Sequence, residues 1–340
     1  MPQSLYQQIK TLKEAQWNYY AGAPNNKSLS VPFITGRQSN LFIKDYFHKG
    51  GKDLIADYFN LDSFGKERAD HTVSIFFFGL LLFHNTEFKN QIFYDGRFSD
   101  RYDLFAYIWF MTCLGHDVAF YSERDEALWE KNPTIEALIE GAQAEHNLLA
   151  RSVEHVPQDM FNLIRPYFDH RHAAGKTDHG IYAGLLSYDL LVKNRLYHHN
   201  DGDSNWTWDE YLDDIYAYCA GTVAVHNMWI PGTQAEIDEY KRHGLQALIG
   251  RPRITLKEAP LLYLLGLVDT LDPVKLYHSI SPKYVLQNIS LSFPSSTSFS
   301  ITVSPKLDYD RLKERSDEAQ KWLDVSIELS ERSILVSIKI

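Results

Sequence analysis

The chain has 340 residues, of which 34 are basic and 44 acidic, so its formal net charge at pH 7 is −10. This acidic balance counts against binding to long nucleic acid, because affinity for polyphosphate depends on clustered Lys and Arg. Two cysteines, Cys113 and Cys219, exclude a disulfide scaffold and favour a reducing compartment. The longest apolar run, Ile75–Phe83, is too short to span a bilayer, and the N-terminus lacks the pattern of a secretory signal. We therefore expect a cytoplasmic protein that does not enter a membrane.

Helical patterns dominate the chain up to about residue 280. Apolar residues recur at helical spacing, and capping residues, Gly and Pro separate the segments. We predict helices, in chain order, over residues 5–20, 40–48, 52–60, 71–83, 101–117, 134–153, 179–196, 208–229, 234–249 and 256–271. The double histidine His198-His199 is expected in the loop that follows residue 196.

The pattern changes near the C-terminus. Residues 287–305 alternate apolar and small polar side chains, which predicts two strands with turns at Pro294 and Pro305. A helix is predicted over 307–323, followed by two strands around Glu331-Arg332. The predicted fold is therefore mainly α, with a small C-terminal α+β appendage that packs on the helical domain or on another subunit. The predicted segments are an N-terminal extension (1–60), a helical domain (61–282) and the appendage (283–340).

Histidine and aspartate side chains interrupt several of the apolar helices. A polar side chain buried on such a helix needs a partner, and a shared metal ion would provide one for several helices at once. Neutral imidazoles together with carboxylates suit borderline divalent ions such as Fe, Mn, Co, Ni or Zn. The candidate ligands, each group on a different predicted helix, are His71, the pair His116-Asp117, His179, His226 and Asp269.

The order of these residues resembles the HD superfamily of metal-dependent phosphohydrolases. The resemblance covers roughly residues 60–280 and implies an HD-type helical bundle. The segments that carry it are ERADHTVSIF, CLGHDVAFY, TDHGIYAGLL, VAVHNMWI and LLGLVDTLDP.

The resemblance also implies a role for each residue. His179 and His226 match the additional ligands of the two-metal branches, and Asp117 would bridge the two ions. Asp117 and His179 are the residues expected to take part in catalysis. Two divalent ions (Fe, Mn, Co, Ni, Zn or Mg) would clamp a phosphoryl group, and a metal-bound hydroxide would cleave a phosphomonoester or phosphodiester of a small, nucleotide-like substrate. The residues that match the ligands of the first metal are His71, His116, Asp117 and Asp269.

Three departures from the family pattern leave alternatives open. Many members have a lysine shortly after the HD pair, whereas Arg124 is the first basic residue here. The GYP motif is absent, and His226-Asn227 stands where two adjacent histidines are usual. One alternative is an HD-fold nucleotide sensor with little turnover, with the C-terminal piece as its docking element. Another is a single-strand nuclease, which the net charge disfavours. A homo-oligomer is compatible with all three readings.

Several further features have two readings each. Asp178 is either a helix cap, which we favour, or an acid that supports a ligand. His170 and His172 lie in a predicted loop that either contacts substrate or is solvated. The basic stretches 241–257 and 165–176 either hold phosphate or are ordinary surface, and residues 201–212 are better explained as a polar loop than as a calcium loop. No site role is predicted for His48, His84, His146, His155, His243 and His278.

Overall fold

A computed structural model describes residues 3–19, 29–61, 64–92, 104–120, 123, 125–200 and 208–340, with only the backbone of Asn200. The described chain is mainly helical and ends in a four-stranded antiparallel sheet. The predicted fold class, mainly α with a small C-terminal α+β appendage, is confirmed. The HD-type arrangement of the helices and the bounds of the three predicted segments stay predictions. Among the described helices, none combines the length and apolarity needed to cross a bilayer.

The chain forms two compact units. Unit 1 comprises residues 1–50, 60–113 and 253–340, and unit 2 comprises 51–59 and 114–252. Helix α7, Leu104–Asp117, begins in unit 1, and its residues from Leu114 onward belong to unit 2. The other helices of unit 1 are α1 (Leu5–Thr11), α2 (Pro32–Thr35), α3 (Ser39–Lys49), α5 (Lys66–Asn85), α6 (Phe88–Gln91), α15 (Pro260–Leu271), α16 (Pro273–Leu276), α17 (Pro282–Gln287) and α18 (Asp310–Trp322).

Unit 2 is built around α12 and α13, whose close packing is possible because small residues face each other. A Cβ on Gly184 would lie only 2.6 Å from the Ala220 carbonyl oxygen, so the two backbones approach too closely for a larger residue. The helices of unit 2 are α4 (Asp53–Tyr58), α8 (Glu126–Lys131), α9 (Ile135–Gly141), α10 (Gln158–Phe161), α11 (Ile164–Ala173), α12 (His179–Asn200), α13 (Leu212–Val225) and α14 (Gln234–Arg242).

The C-terminal sheet has the strand order β1-β2-β4-β3. Its apolar residues alternate toward a buried face, as predicted for half-buried strands. Pro294 was predicted to form a turn, but it lies within β1 at an irregularity between Ser292 and Ser295, where a proline is tolerated. The sheet and α18 belong to the same unit as α5 and α15. The strands are β1 (Ile289–Ser295), β2 (Ser298–Val303), β3 (Val325–Leu329) and β4 (Ser333–Ile338).

Several helix boundaries differ from the predictions. Thr134 caps α9 by accepting a hydrogen bond from the Ala137 amide, but this helix ends at Gly141. Residues 198 and 199 form the last turn of α12, so the loop predicted for them is wrong. The loop predicted around residues 170 and 172 is wrong as well, since α11 covers both positions. Pro166 in its first turn and Gly175 just beyond its end, at φ 73°, are the signals that predict this helix.

Candidate metal centre

In unit 1, a buried carboxylate orients the ring of His71. Nδ1 of His71, on α5, donates to Asp272 Oδ2 at 2.8 Å. Asp272 is fully buried and caps α16, where it also accepts from the Lys275 amide at 2.9 Å and from the Ser74 hydroxyl. A buried carboxylate is tolerated here because each oxygen accepts hydrogen bonds, including those from the helix N-terminus. The ring is therefore fixed with Nε2 pointing away from Asp272.

Nε2 of His71 faces Asp269, the second predicted ligand of unit 1. The distance to Asp269 Oδ1 is 2.9 Å, and the same oxygen lies 2.6 Å from Lys275 Nζ. Burial lowers the pKa of His71, but the hydrogen bonds to Asp269 and Asp272 outweigh it and raise the pKa to about 9. The metal-free ring thus carries a proton on each nitrogen at neutral pH. The proton on Nε2 must leave before this atom can bind a metal.

A cavity of about 250 Å³ in unit 1 opens beside His71. Three of its polar residues are Lys or Arg, and two are acidic. The titratable side chains that line it are Lys66, Glu67, Arg68, Asp70, His71, Lys275 and His278.

In unit 2, four of the predicted residues lie together at the ends of helices. His116 and Asp117 end α7, with 3.6 Å between His116 Nε2 and Asp117 Oδ2. The His226 ring, directly after α13, lies 5.8 Å from the His116 ring and 5.2 Å from that of His179, centroid to centroid. His179, the first residue of α12, has its Nε2 at 4.0 Å from Asp117 Oδ1. We call His116, Asp117, His179 and His226 the His116 group.

Two rings of the His116 group are held in the same way as His71. Nδ1 of His226 lies 2.6 Å from the Val223 carbonyl oxygen, which can only accept, so Nδ1 carries the proton. Nδ1 of His179 donates to Glu123 Oε1 at 2.8 Å. With Nδ1 bound to oxygen, a metal would bind these rings through Nε2, and a hydrogen bond on the opposite nitrogen is the usual support of a metal-bound histidine. Asn227 Nδ2 lies 3.4 Å from Nε2 of His179.

Glu123 is the charged hydrogen-bond partner of the His179 ring. Burial raises the pKa of Glu123, but its hydrogen bond with His179 outweighs this effect and lowers the pKa overall. Arg171 Nη2 lies 3.2 Å from Glu123 Oε1 and helps to keep it ionised. Burial lowers the pKa of His179, whereas Glu123, Asp178 and Asp117 raise it, with a net increase. The basic stretch 165–176 thus contributes Arg171 to the support of His179.

Asp178 is a helix cap, as predicted. Its Oδ1 accepts from the Ile181 amide at 2.9 Å at the start of α12.

The other basic stretch, 241–257, contains Arg251, which is buried and paired with Asp159 at 2.7 Å, so this residue has a structural role. Arg124 and residues 201–207 lie outside the described residues.

The sequence predicted the candidate ligands but missed the groups that orient them. Asp272 could have been recognised from the dipeptide Asp272-Pro273, which is typical of a helix cap followed by a first helical residue. Glu123 and the Val223 carbonyl give no comparable signal.

Comparisons with protein-family models, with curated proteins and with solved structures found no match for this chain.

The raised pKa of His71 predicts how the metal-free protein responds to pH. The folded value of about 9 exceeds the unfolded value of 6.5, so the stabilisation is complete below pH 6.5 and is lost as pH rises through 9. The shift corresponds to about 3 kcal/mol. We expect chemical unfolding to show that the metal-free wild type is more stable than His71→Gln at pH 6.5. This difference in unfolding free energy should decrease by about 3 kcal/mol as the pH rises to 9. A difference that stays constant with pH would contradict the assignment.

Gly180 provides a test of the His226 position. A Cβ at Gly180 would lie 2.8 Å from the His226 ring and 2.8 Å from the Val223 carbonyl oxygen, the atoms that fix this ligand. We expect Gly180→Ala to weaken divalent metal binding, measured by calorimetry, by about 10- to 100-fold, as for other changes in the support of a ligand. Gly184→Ala crowds the same pair of helices without touching a site residue, so it should reduce stability but not affinity. Equal affinities in the two variants would show that the position of His226 does not matter for binding.

Proposed function

We propose that the protein is a divalent-metal-dependent phosphohydrolase that acts on a small phosphomonoester or phosphodiester. The observation that carries the proposal is the shared orientation of three buried imidazoles. His71, His179 and His226 each have Nδ1 bound to an oxygen. Nε2 of His71 lies 2.9 Å from Asp269, and Nε2 of His179 lies 4.0 Å from Asp117. Any buried histidine needs a hydrogen-bond partner, but the use of Nδ1 for this bond in all three rings is the usual pattern of metal-binding histidines.

The donor set fits the proposed ions. It combines imidazole nitrogens with the carboxylates of Asp117 and Asp269, which is the mixed nitrogen and oxygen set that suits Fe, Mn, Co, Ni or Zn. Mg²⁺ prefers oxygen ligands alone and fits this set less well. When bound, the ions would supply Lewis acidity and lower the pKa of a water molecule. The sequence resemblance implies that the six predicted residues act as metal ligands.

The chain's own residues would then act as follows. Asp117, held beside His116 and His179, can orient a water molecule and accept its proton. The pKa of His179 is raised above its ordinary value, and its Nε2 can bind an ion or, when protonated, donate a proton to a leaving oxygen. Glu123 would position His179 in either role.

The position of Lys275 favours the proposal that the substrate carries a phosphate group. The lysine that many HD proteins carry after the HD pair is missing from the sequence. Lys275 supplies a cation at another position, 2.6 Å from the predicted ligand Asp269 and on the wall of the cavity beside His71. An ammonium group at this place can contact a phosphate oxygen.

The proposal is tested by measuring metal content and turnover on the same preparations. The substrate panel contains aryl phosphate mono- and diesters, nucleoside monophosphates, cyclic nucleotides and a single-stranded oligonucleotide. We expect metal-dependent turnover of at least one small ester, and a loss of about 100-fold or more in kcat/KM for Asp117→Asn and His179→Gln. His199→Gln, which alters an exposed histidine at the end of α12, is the control and should match the wild type.

Other outcomes separate the alternatives. Tight nucleotide binding without turnover would favour the sensor, and cleavage of the oligonucleotide alone would favour the nuclease. A protein that binds no divalent metal, or Asp117→Asn with unchanged turnover, would refute the proposal.

A further inference from the structure

A second group of metal-binding side chains lies in unit 2, formed by residues for which no metal-binding role was predicted. His170 lies on α11, Glu239 lies on α14, and His243 directly follows α14. Each residue offers one nitrogen or oxygen atom, and these atoms lie within 4.8 Å of one another. Glu239 and His243 are four residues apart, so the helix places them on one face.

His170 has a buried nitrogen atom that lacks a partner. Its Nδ1 makes no hydrogen bond within the described part of the chain, although the residue is only 9% exposed. The nearest carboxylate oxygen, Glu239 Oε1, is 3.6 Å away, beyond hydrogen-bonding distance. A buried polar atom in this state destabilises the fold unless something binds it.

The spacing between His170 and Glu239 is suited to a metal ion. Ligand atoms on a tetrahedral zinc ion lie about 3.4 Å apart, given bond lengths near 2.1 Å. The observed 3.6 Å is already close to this value, whereas it is too long for a direct hydrogen bond.

We propose that His170, Glu239 and His243 bind one divalent ion of the Zn²⁺ type, separate from the ions of the proposed reaction. Two imidazoles and one carboxylate give three protein ligands, and a water molecule would complete the tetrahedral shell. Glu239 and His243 are partly exposed, so an ion can enter from solvent.

The consequence of binding would be a link between α11 and the C-terminal end of α14. The rings of Tyr240 and Tyr167 flank His170 at 5.2 and 5.7 Å between centroids. The Tyr167 hydroxyl donates to the Asn227 carbonyl oxygen at 2.8 Å, directly after the candidate ligand His226. An ion at His170 would therefore stabilise the helices that support this segment, without contacting the reacting groups.

The test uses the full chain, stripped of metal and titrated with Zn²⁺ in a competition assay with a chelator. His243→Gln and Glu239→Gln should each bind one equivalent fewer than the wild type. The matched controls are His199→Gln and Asp238→Asn, the latter on an exposed residue next to Glu239, and both should bind as the wild type does. Unchanged stoichiometry and affinity in His243→Gln and Glu239→Gln would overturn the proposal.

A second measurement separates this site from the proposed reaction centre. In a His116→Gln background, Co²⁺ should still give the visible absorption of a four-coordinate ion, and adding His243→Gln should abolish it. The absence of this absorption in His116→Gln, with circular dichroism showing a folded protein, would also overturn the proposal. Neither result depends on whether the protein hydrolyses a phosphate ester, so the two proposals fail independently.

Discussion

The candidate site depends on one repeated interaction, the hydrogen bond from Nδ1 of a buried histidine to a fixed oxygen. An imidazole inside an apolar helix bundle is costly unless its polar atoms have partners. Asp272, Glu123 and the Val223 carbonyl each provide such a partner. The same bond sets the direction of the ring and occupies Nδ1, so Nε2 is the nitrogen through which each ring would bind a metal.

This requirement explains why so much of the surrounding structure is constrained. Asp272 satisfies its own oxygens by capping α16, and Arg171 keeps Glu123 ionised. Gly180 has no side chain because His226 and the Val223 carbonyl occupy the space. Each of these residues acts through a ligand rather than on a substrate, and each unit carries its own set.

The sequence predicted the fold class and the candidate ligands because both depend on periodic patterns. Alternation revealed the strands of the C-terminal sheet, and polar residues within apolar helices revealed positions that require partners. The supporting residues were missed because their partners are distant in sequence, as with His71 and Asp272, or belong to the backbone, as with Val223. Helix α11 was missed because its polar sequence, RPYFDHRH, resembles a loop until Pro166 and Gly175 are recognised as its boundaries. The sequence shows only part of the group of His170, Glu239 and His243. The four-residue spacing of Glu239 and His243 is visible in the sequence, but the proximity of His170, on α11, is not.

The most direct test of the central claim is a crystal structure of the metal-loaded protein with anomalous scattering recorded at the absorption edge of the bound metal. We expect ions bonded to Nε2 of His71, His179 and His226, with each Nδ1 still bound to its oxygen. Ions bonded to Nδ1 of these residues, or no anomalous peak at any of them in a protein that contains metal, would contradict this claim.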